Sequence, residues 1–130
     1  MKEKFTIKSE KDIRLAINST RFIAKSLLFS EVDLQKLIVA VSELTQNVLD
    51  HAAGIGTYSY ESLGKTGIKI VVQDCGGGIK QVEEILKGKS GFRKKGLGLG
   101  LAGAKRLMDD FEIESSEKGT KIIAIKWRSC

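Results

Sequence analysis

The sequence predicts an α/β two-layer sandwich, a mixed and largely antiparallel sheet with helices on one face. Three observations carry this expectation. Two capped, amphipathic helical patterns follow each other near the N-terminus. Two pairs of alternating or β-branched segments each close around a glycine-containing turn. The order along the chain is β, α, α, β, β, α, loop, α, β, β, so adjacent strands pair as hairpins while the helices collect on one side.

Phe5 and Ile7 alternate with polar neighbours and mark a short first strand. Ser9, with Asp12 three positions on, is a variant of the capping box that opens a first helix. Ile13, Ala16, Ile17, Ile23, Ala24, Leu27 and Leu28 then recur at helical spacing. Ser30 and Asp33 repeat the capping pattern. Leu34, Leu37, Ile38, Val41, Leu44 and Val48 form a second apolar stripe, which runs to about His51. The break Ala53-Gly54-Ile55-Gly56 precedes strands at 57–62 and 67–73, joined by a turn at 64–67. Residues 79–87 form a short helical pattern and 88–96 a basic, glycine-containing loop. A last helix is expected over 99–108, followed by strands near 111–116 and 121–127 around Lys118-Gly119.

A chain of 130 residues with 42% apolar content is the size of one domain, 1–130, and can bury a stable core. No stretch approaches the ~20 apolar residues of a membrane span, and MKEKFTIKSE lacks an apolar signal region. The expected location is the cytoplasm, without a membrane partner. Cys75 and Cys130 have no metal-ligand spacing, and no structural disulfide between them is expected. The net charge of +6 is concentrated: Lys87, Lys89, Arg93, Lys94 and Lys95 lie in one acid-free segment. A local basic loop suits a phosphate ligand or an acidic partner better than a nucleic-acid duplex.

Three segments carry candidate chemistry. In Ser42-Glu43-Leu44-Thr45-Gln46-Asn47, Glu43 and Asn47 are one helical turn apart and share a face, which His51 continues. An asparagine carbonyl suits a magnesium ion otherwise held by water and phosphate, and a nearby glutamate accepts a proton. An ordinary solvated helix face has the same spacing. His51 fits packing at the helix end or phosphate sensing.

In Asp74-Cys75-Gly76-Gly77-Gly78, a carboxylate leaves the most hydrophobic strand, where it can accept a hydrogen bond from a ligand donor. Phosphates would repel it; an adenine amino group would not. Gly76 and Gly78 allow a ligand close to the backbone, although a plain glycine turn fits as well. The run Gly96-Leu97-Gly98-Leu99-Gly100 lies between the basic loop and a helix, where free backbone N–H groups attract phosphate. Gly98, Gly100 and Gly103 match a dinucleotide fingerprint in letters only, because no strand precedes them. A Walker A loop is absent: Glu83 and Ser59 stand where Gly88-Lys89-Ser90 and Gly64-Lys65-Thr66 would need a leading glycine.

In order and spacing these segments resemble the GHKL superfamily of gyrase, histidine-kinase and heat-shock-chaperone ATPases, over nearly the whole chain. Glu43 to Asn47, continuing through His51, is similar to its N box. Asp74, Gly76 and Gly78 match its adenine box, Gly96 to Gly100 its second glycine box, and Gly119-Thr120 its final motif. Within the superfamily, GLGLAGAKRLMDDF from Gly98 to Phe111 and the ending GTKIIAIKW resemble the RsbT-like serine/threonine switch kinases. Ala102 departs from the proline expected there. The chain is too short for the phosphoacceptor helical domain of a histidine kinase.

The resemblance implies a Bergerat ATP-binding fold and transfer of the ATP γ-phosphoryl group to a serine or threonine. Asn47 would hold Mg²⁺ and Glu43 would act as the base. Asp74, supported by Thr120, would take the adenine amino group. Gly98 and Gly100 would cradle phosphates, and the loop ending at Lys95 and Gly96 would close over them. The implied partner is an STAS-domain antagonist of a stress-signalling switch, with a downstream phosphatase also in view. Two other readings share the motifs: an anti-sigma-factor kinase that sequesters a sigma factor, and a nucleotide-gated binding module with little catalysis.

Overall fold

The computed structural model describes residues 1–51, 55–74, 100–116 and 119–129. Within them the chain forms β1 (Lys2–Ile7), α1 (Glu10–Ser26), α2 (Glu31–His51), β2 (Gly56–Leu63), β3 (Gly67–Asp74), α3 (Gly100–Leu107), β4 (Asp110–Ser116) and β5 (Gly119–Trp127). The expected helix at 79–87 and the basic loop at 88–96 lie outside the described residues.

The five strands make one sheet in the order β1-β2-β3-β5-β4. All four pairings are antiparallel, so the mixed character expected from the sequence is absent among the described strands. The α1–α2 hairpin returns the chain to the end it left, and β2 therefore runs back along β1. The first strand is longer than its two apolar residues suggested, because pairing with β2 carries it to Lys2, opposite Glu61.

Ser9 caps α1 as expected. Its hydroxyl accepts from the Asp12 backbone N–H at 3.4 Å, and the Asp12 carboxylate reaches back to the Lys8 N–H at 2.9 Å. The end of α1 is less ordinary. The Leu28 N–H bonds the Lys25 carbonyl and the Phe29 N–H the Ala24 carbonyl, each at 3.0 Å. This Schellman closure puts Leu28 at φ 62°, a left-handed position usually given to glycine. Ser30 then caps α2 through the Asp33 N–H at 3.1 Å.

Alternation along the strands sends Tyr58, Tyr60, Ile68, Ile70, Val72, Ile122 and Ala124 toward the helices, where they meet Ile13, Ile23, Leu34, Leu37, Val41 and Leu44. Burial of two tyrosines requires partners for their hydroxyls. Tyr60 Oη meets Ser19 Oγ at 2.5 Å, and Tyr58 Oη meets Thr20 Oγ1 at 2.6 Å. Thr20 gives its own proton to the Ala16 carbonyl, so Tyr58 is the donor in its pair. Burial pushes the Tyr58 hydroxyl well above its ordinary pKa, which keeps that donor protonated.

The end of the sheet away from Asp74 is locked by charge. Lys126, only 5% exposed, lies 3.9 Å from Asp33 Oδ1 and 3.6 Å from Asp109 Oδ1. Asp33 Oδ2 accepts from the Ser129 N–H at 2.9 Å, and Arg128 donates to the Leu27 carbonyl at 3.1 Å. Hydrogen bonds from Ser129, then Ser30, and the Lys126 charge hold the Asp33 carboxyl below its usual value, against the opposing effect of burial.

A lowered folded-state value means that Asp33 contributes stability above the unfolded pKa and loses it as the pH falls through the folded one. Asp33→Asn should therefore cost about 2 kcal/mol at neutral pH, and the difference from the parent should shrink once the pH drops below 3.8. Denaturant melts of both proteins across pH check this; a constant difference at every pH would contradict it.

Candidate functional site

The site begins on α2. This helix packs against α1 and the sheet, and α3 covers another of its sides. Glu43 to Val48 are consequently all buried. Glu43 is 1% exposed and Asn47 8%, so the solvated helix face that the spacing also allowed is not what forms. Four polar residues within one buried turn and a half are costly unless satisfied. Thr45 is satisfied locally, donating to the Val41 carbonyl at 2.7 Å. Gln46 bridges two carboxylates, donating to Glu10 Oε1 at 3.1 Å and to Asp50 Oδ1 at 3.3 Å. Glu43 and Asn47 remain one turn apart, a carboxylate and an amide at the edge of the core.

The second part of the site sits on the sheet. Asp74 ends β3 on the helix-facing side, and Thr120, 3% exposed, begins β5 beside it. The Thr120 N–H donates to Asp74 Oδ1 at 3.3 Å, which fixes the carboxylate. Ser115, across on β4, places its hydroxyl 3.1 Å from the Thr120 hydroxyl. Gly119 enters β5 at φ 136°, a conformation that favours glycine. A pocket of about 310 Å³ opens at these strand ends, lined by Asp74, Ser115, Gly119 and Thr120 together with Gln73, Glu114 and Lys121.

Gly56 joins the two parts. It pairs with Asp74 in the sheet, and a β-carbon there would fall 2.6 Å from the Gln73 carbonyl oxygen and 2.8 Å from Val48 Cγ1. Only a residue without a side chain lets α2 approach the strand ends so closely. Asn47 and Asp74 are the chain neighbours of Val48 and Gln73, so they share this end of the fold. Gly100, the first residue of α3, is buried at φ 63°, and a side chain there would be strained.

Of the residues singled out from sequence, Glu43, Asn47, Asp74, Gly100 and Thr120 are placed. Gly76, Gly78, Lys95, Gly96 and Gly98 lie outside the described residues, as does Cys75. His51 ends α2. Sequence reasoning missed Ser115 and the Gln46 bridge. The alternation of β4 and the four-residue spacing of Gln46 and Asp50 were visible, but the partners come from other elements.

Hard oxygen donors on α2 suit Mg²⁺, and a fixed carboxylate at the pocket on the strand ends suits an amino group of a base. Residues 8–126 match the family model of the histidine kinase-like ATPase domain, and the chain belongs to that family. It is also 41% identical over 125 residues to the serine/threonine-protein kinase RsbT of Bacillus subtilis (strain 168), covering 93% of this chain and 92% of that protein.

Solved structures share the fold at lower identity. The RsbU and RsbW domains of Rv1364c from Mycobacterium tuberculosis superpose with a TM-score of 0.70 at 16% identity, covering 100% of this chain and 33% of that one. The SiaB–SiaC complex from Pseudomonas aeruginosa gives a TM-score of 0.66 at 11% identity, covering 95% of this chain and 88% of the other.

Proposed function

We propose that this chain is an ATP-dependent serine/threonine protein kinase whose substrate is an STAS-domain antagonist in a bacterial stress-signalling switch. The observation that carries the reading is the joining, at one end of the fold, of a buried Glu43–Asn47 pair with the Asp74–Thr120 pair. The 41% identity to a serine/threonine-protein kinase supports it.

Bound ATP supplies the γ-phosphoryl group and Mg²⁺ the positive charge that offsets its oxygens. Asp74 accepts a hydrogen bond from the adenine amino group. The Thr120 N–H holds that carboxylate in place, and the Thr120 hydroxyl, set by Ser115, supports the same edge of the base. The Asn47 side-chain carbonyl would hold the metal. Glu43 accepts the proton of the attacking serine or threonine hydroxyl as its oxygen bonds to the γ-phosphorus and ADP leaves. Burial keeps bulk water away from that transfer. The N–H groups at the start of α3 suit the phosphates.

The described residues contain no helix long and apolar enough to cross a membrane, and we assign the activity to the cytoplasm. A downstream phosphatase or a sigma factor is a second partner class for the same switch. Incubating the chain with an STAS-domain antagonist and γ-phosphate-labelled ATP tests the reading: label should move to the antagonist in a Mg²⁺-dependent way.

A further inference from the structure

We propose that the outward face of α1 is a docking surface for an acidic amphipathic helix of a partner protein. The buried side of α1 is fully used: Ile13, Ala16, Thr20, Ile23 and Ala24 pack inward. The opposite side is not the polar surface expected of a solvated helix. It presents Leu15, 51% exposed, and Phe22, 66% exposed. These two stand seven residues apart and so lie on one line along the helix.

The exposed Lys11, Asn18 and Lys25 form a parallel row beside them, with Arg14 on the far side of that row. None of these three cations is in an ion pair among the described residues, and no acidic residue stands on this face between them.

Two apolar residues at heptad spacing make an apolar line along the outside of α1, with cations along one flank, which an amphipathic helix laid alongside can cover. The charges select the occupant. A second copy docked by this face would oppose cation to cation, whereas a helix with leucines in the seam and glutamates beside them would neutralise the row. The proposal is independent of the kinase reading, because no residue of the nucleotide site takes part.

The probes are two fluorescent heptad peptides with the same leucine seam, one flanked by glutamate and one by lysine, titrated against the full chain by anisotropy. The glutamate peptide should bind, and binding should weaken as salt rises. It should fall at least tenfold in the double variant Leu15→Ser/Phe22→Ser. Both side chains are exposed, so circular dichroism and ATP affinity of the variant should match the parent.

Binding of the lysine peptide as tightly as the glutamate one, or no binding of the glutamate peptide, would overturn the proposal. Two further measurements are equally decisive against it: cosedimentation with phosphatidylserine vesicles that the double variant abolishes, which makes the face a membrane contact, and a dimer in sedimentation velocity that the double variant dissolves, which makes it a self-association surface.

Discussion

Glu43→Gln is expected to slow phosphoryl transfer to the partner by about 10²–10⁴-fold while leaving ATP affinity nearly unchanged. Glutamine keeps the shape and hydrogen-bonding reach of glutamate but takes no proton. Glu43 is 1% exposed, so bulk water is poorly placed to substitute for the missing base. Asn47→Ala, one turn on, should behave differently. If Asn47 holds the metal as proposed, its loss should impair Mg²⁺-dependent binding and rate together, so the two variants separate catalysis from binding. Single-turnover transfer and calorimetric ATP titration on each, with circular dichroism as the folding control, make the comparison. Transfer at the parental rate by Glu43→Gln would remove Glu43 as the base.

Asp74→Asn has the second-largest expected effect, and it falls on binding. The Asp74 carboxylate is held by the Thr120 N–H and faces the pocket at the strand ends. Its loss removes a charge-assisted hydrogen bond, worth about 1.5–3 kcal/mol, or roughly one to two decades in affinity. The base preference should collapse in parallel. The parent should bind ATP more tightly than GTP, because guanine carries an acceptor where adenine carries its amino donor, and two acceptors repel. The asparagine side chain offers a donor as well as an acceptor and should narrow that gap. Calorimetry with both nucleotides on both proteins reads the affinity loss and the change in preference together. Unchanged ATP affinity in a folded variant, or equal affinity of the parent for ATP and GTP, would contradict the adenine assignment.

Much of this fold is legible in the sequence because its signals are local. Ser9 with Asp12 and Ser30 with Asp33 announce both N-terminal helices, and their caps form as the letters suggest. The alternation of Tyr58, Tyr60, Ile68, Ile70 and Val72 specifies which face of the sheet is buried. What is not legible depends on contacts between distant segments. β5 inserts between β3 and β4. That insertion, invisible in any window of sequence, is what brings Thr120 to Asp74.

The burial of Glu43 has the same origin. The spacing on α2 is compatible with solvent, and it is α3, far along the chain, that joins α1 and the sheet in covering the helix. Gly56 illustrates the converse. As a letter it marks a break, but in the fold it is the close approach that seats α2 on the strand ends. Leu28 breaks a local rule, standing exposed at a left-handed position where glycine is usual, and nothing in the structure explains that choice.

As proposed, the buried Glu43–Asn47 pair and the Asp74–Thr120 pair form one kinase site that acts on a serine or threonine of another protein. Phosphoamino-acid analysis after reaction of the chain, an STAS-domain antagonist and γ-phosphate-labelled ATP with Mg²⁺ tests it most directly. Acid-stable phosphoserine or phosphothreonine is expected on the antagonist, greatly reduced with Glu43→Gln. Label found only as acid-labile phosphohistidine, or no label on the antagonist despite tight ATP binding and complex formation, would contradict it.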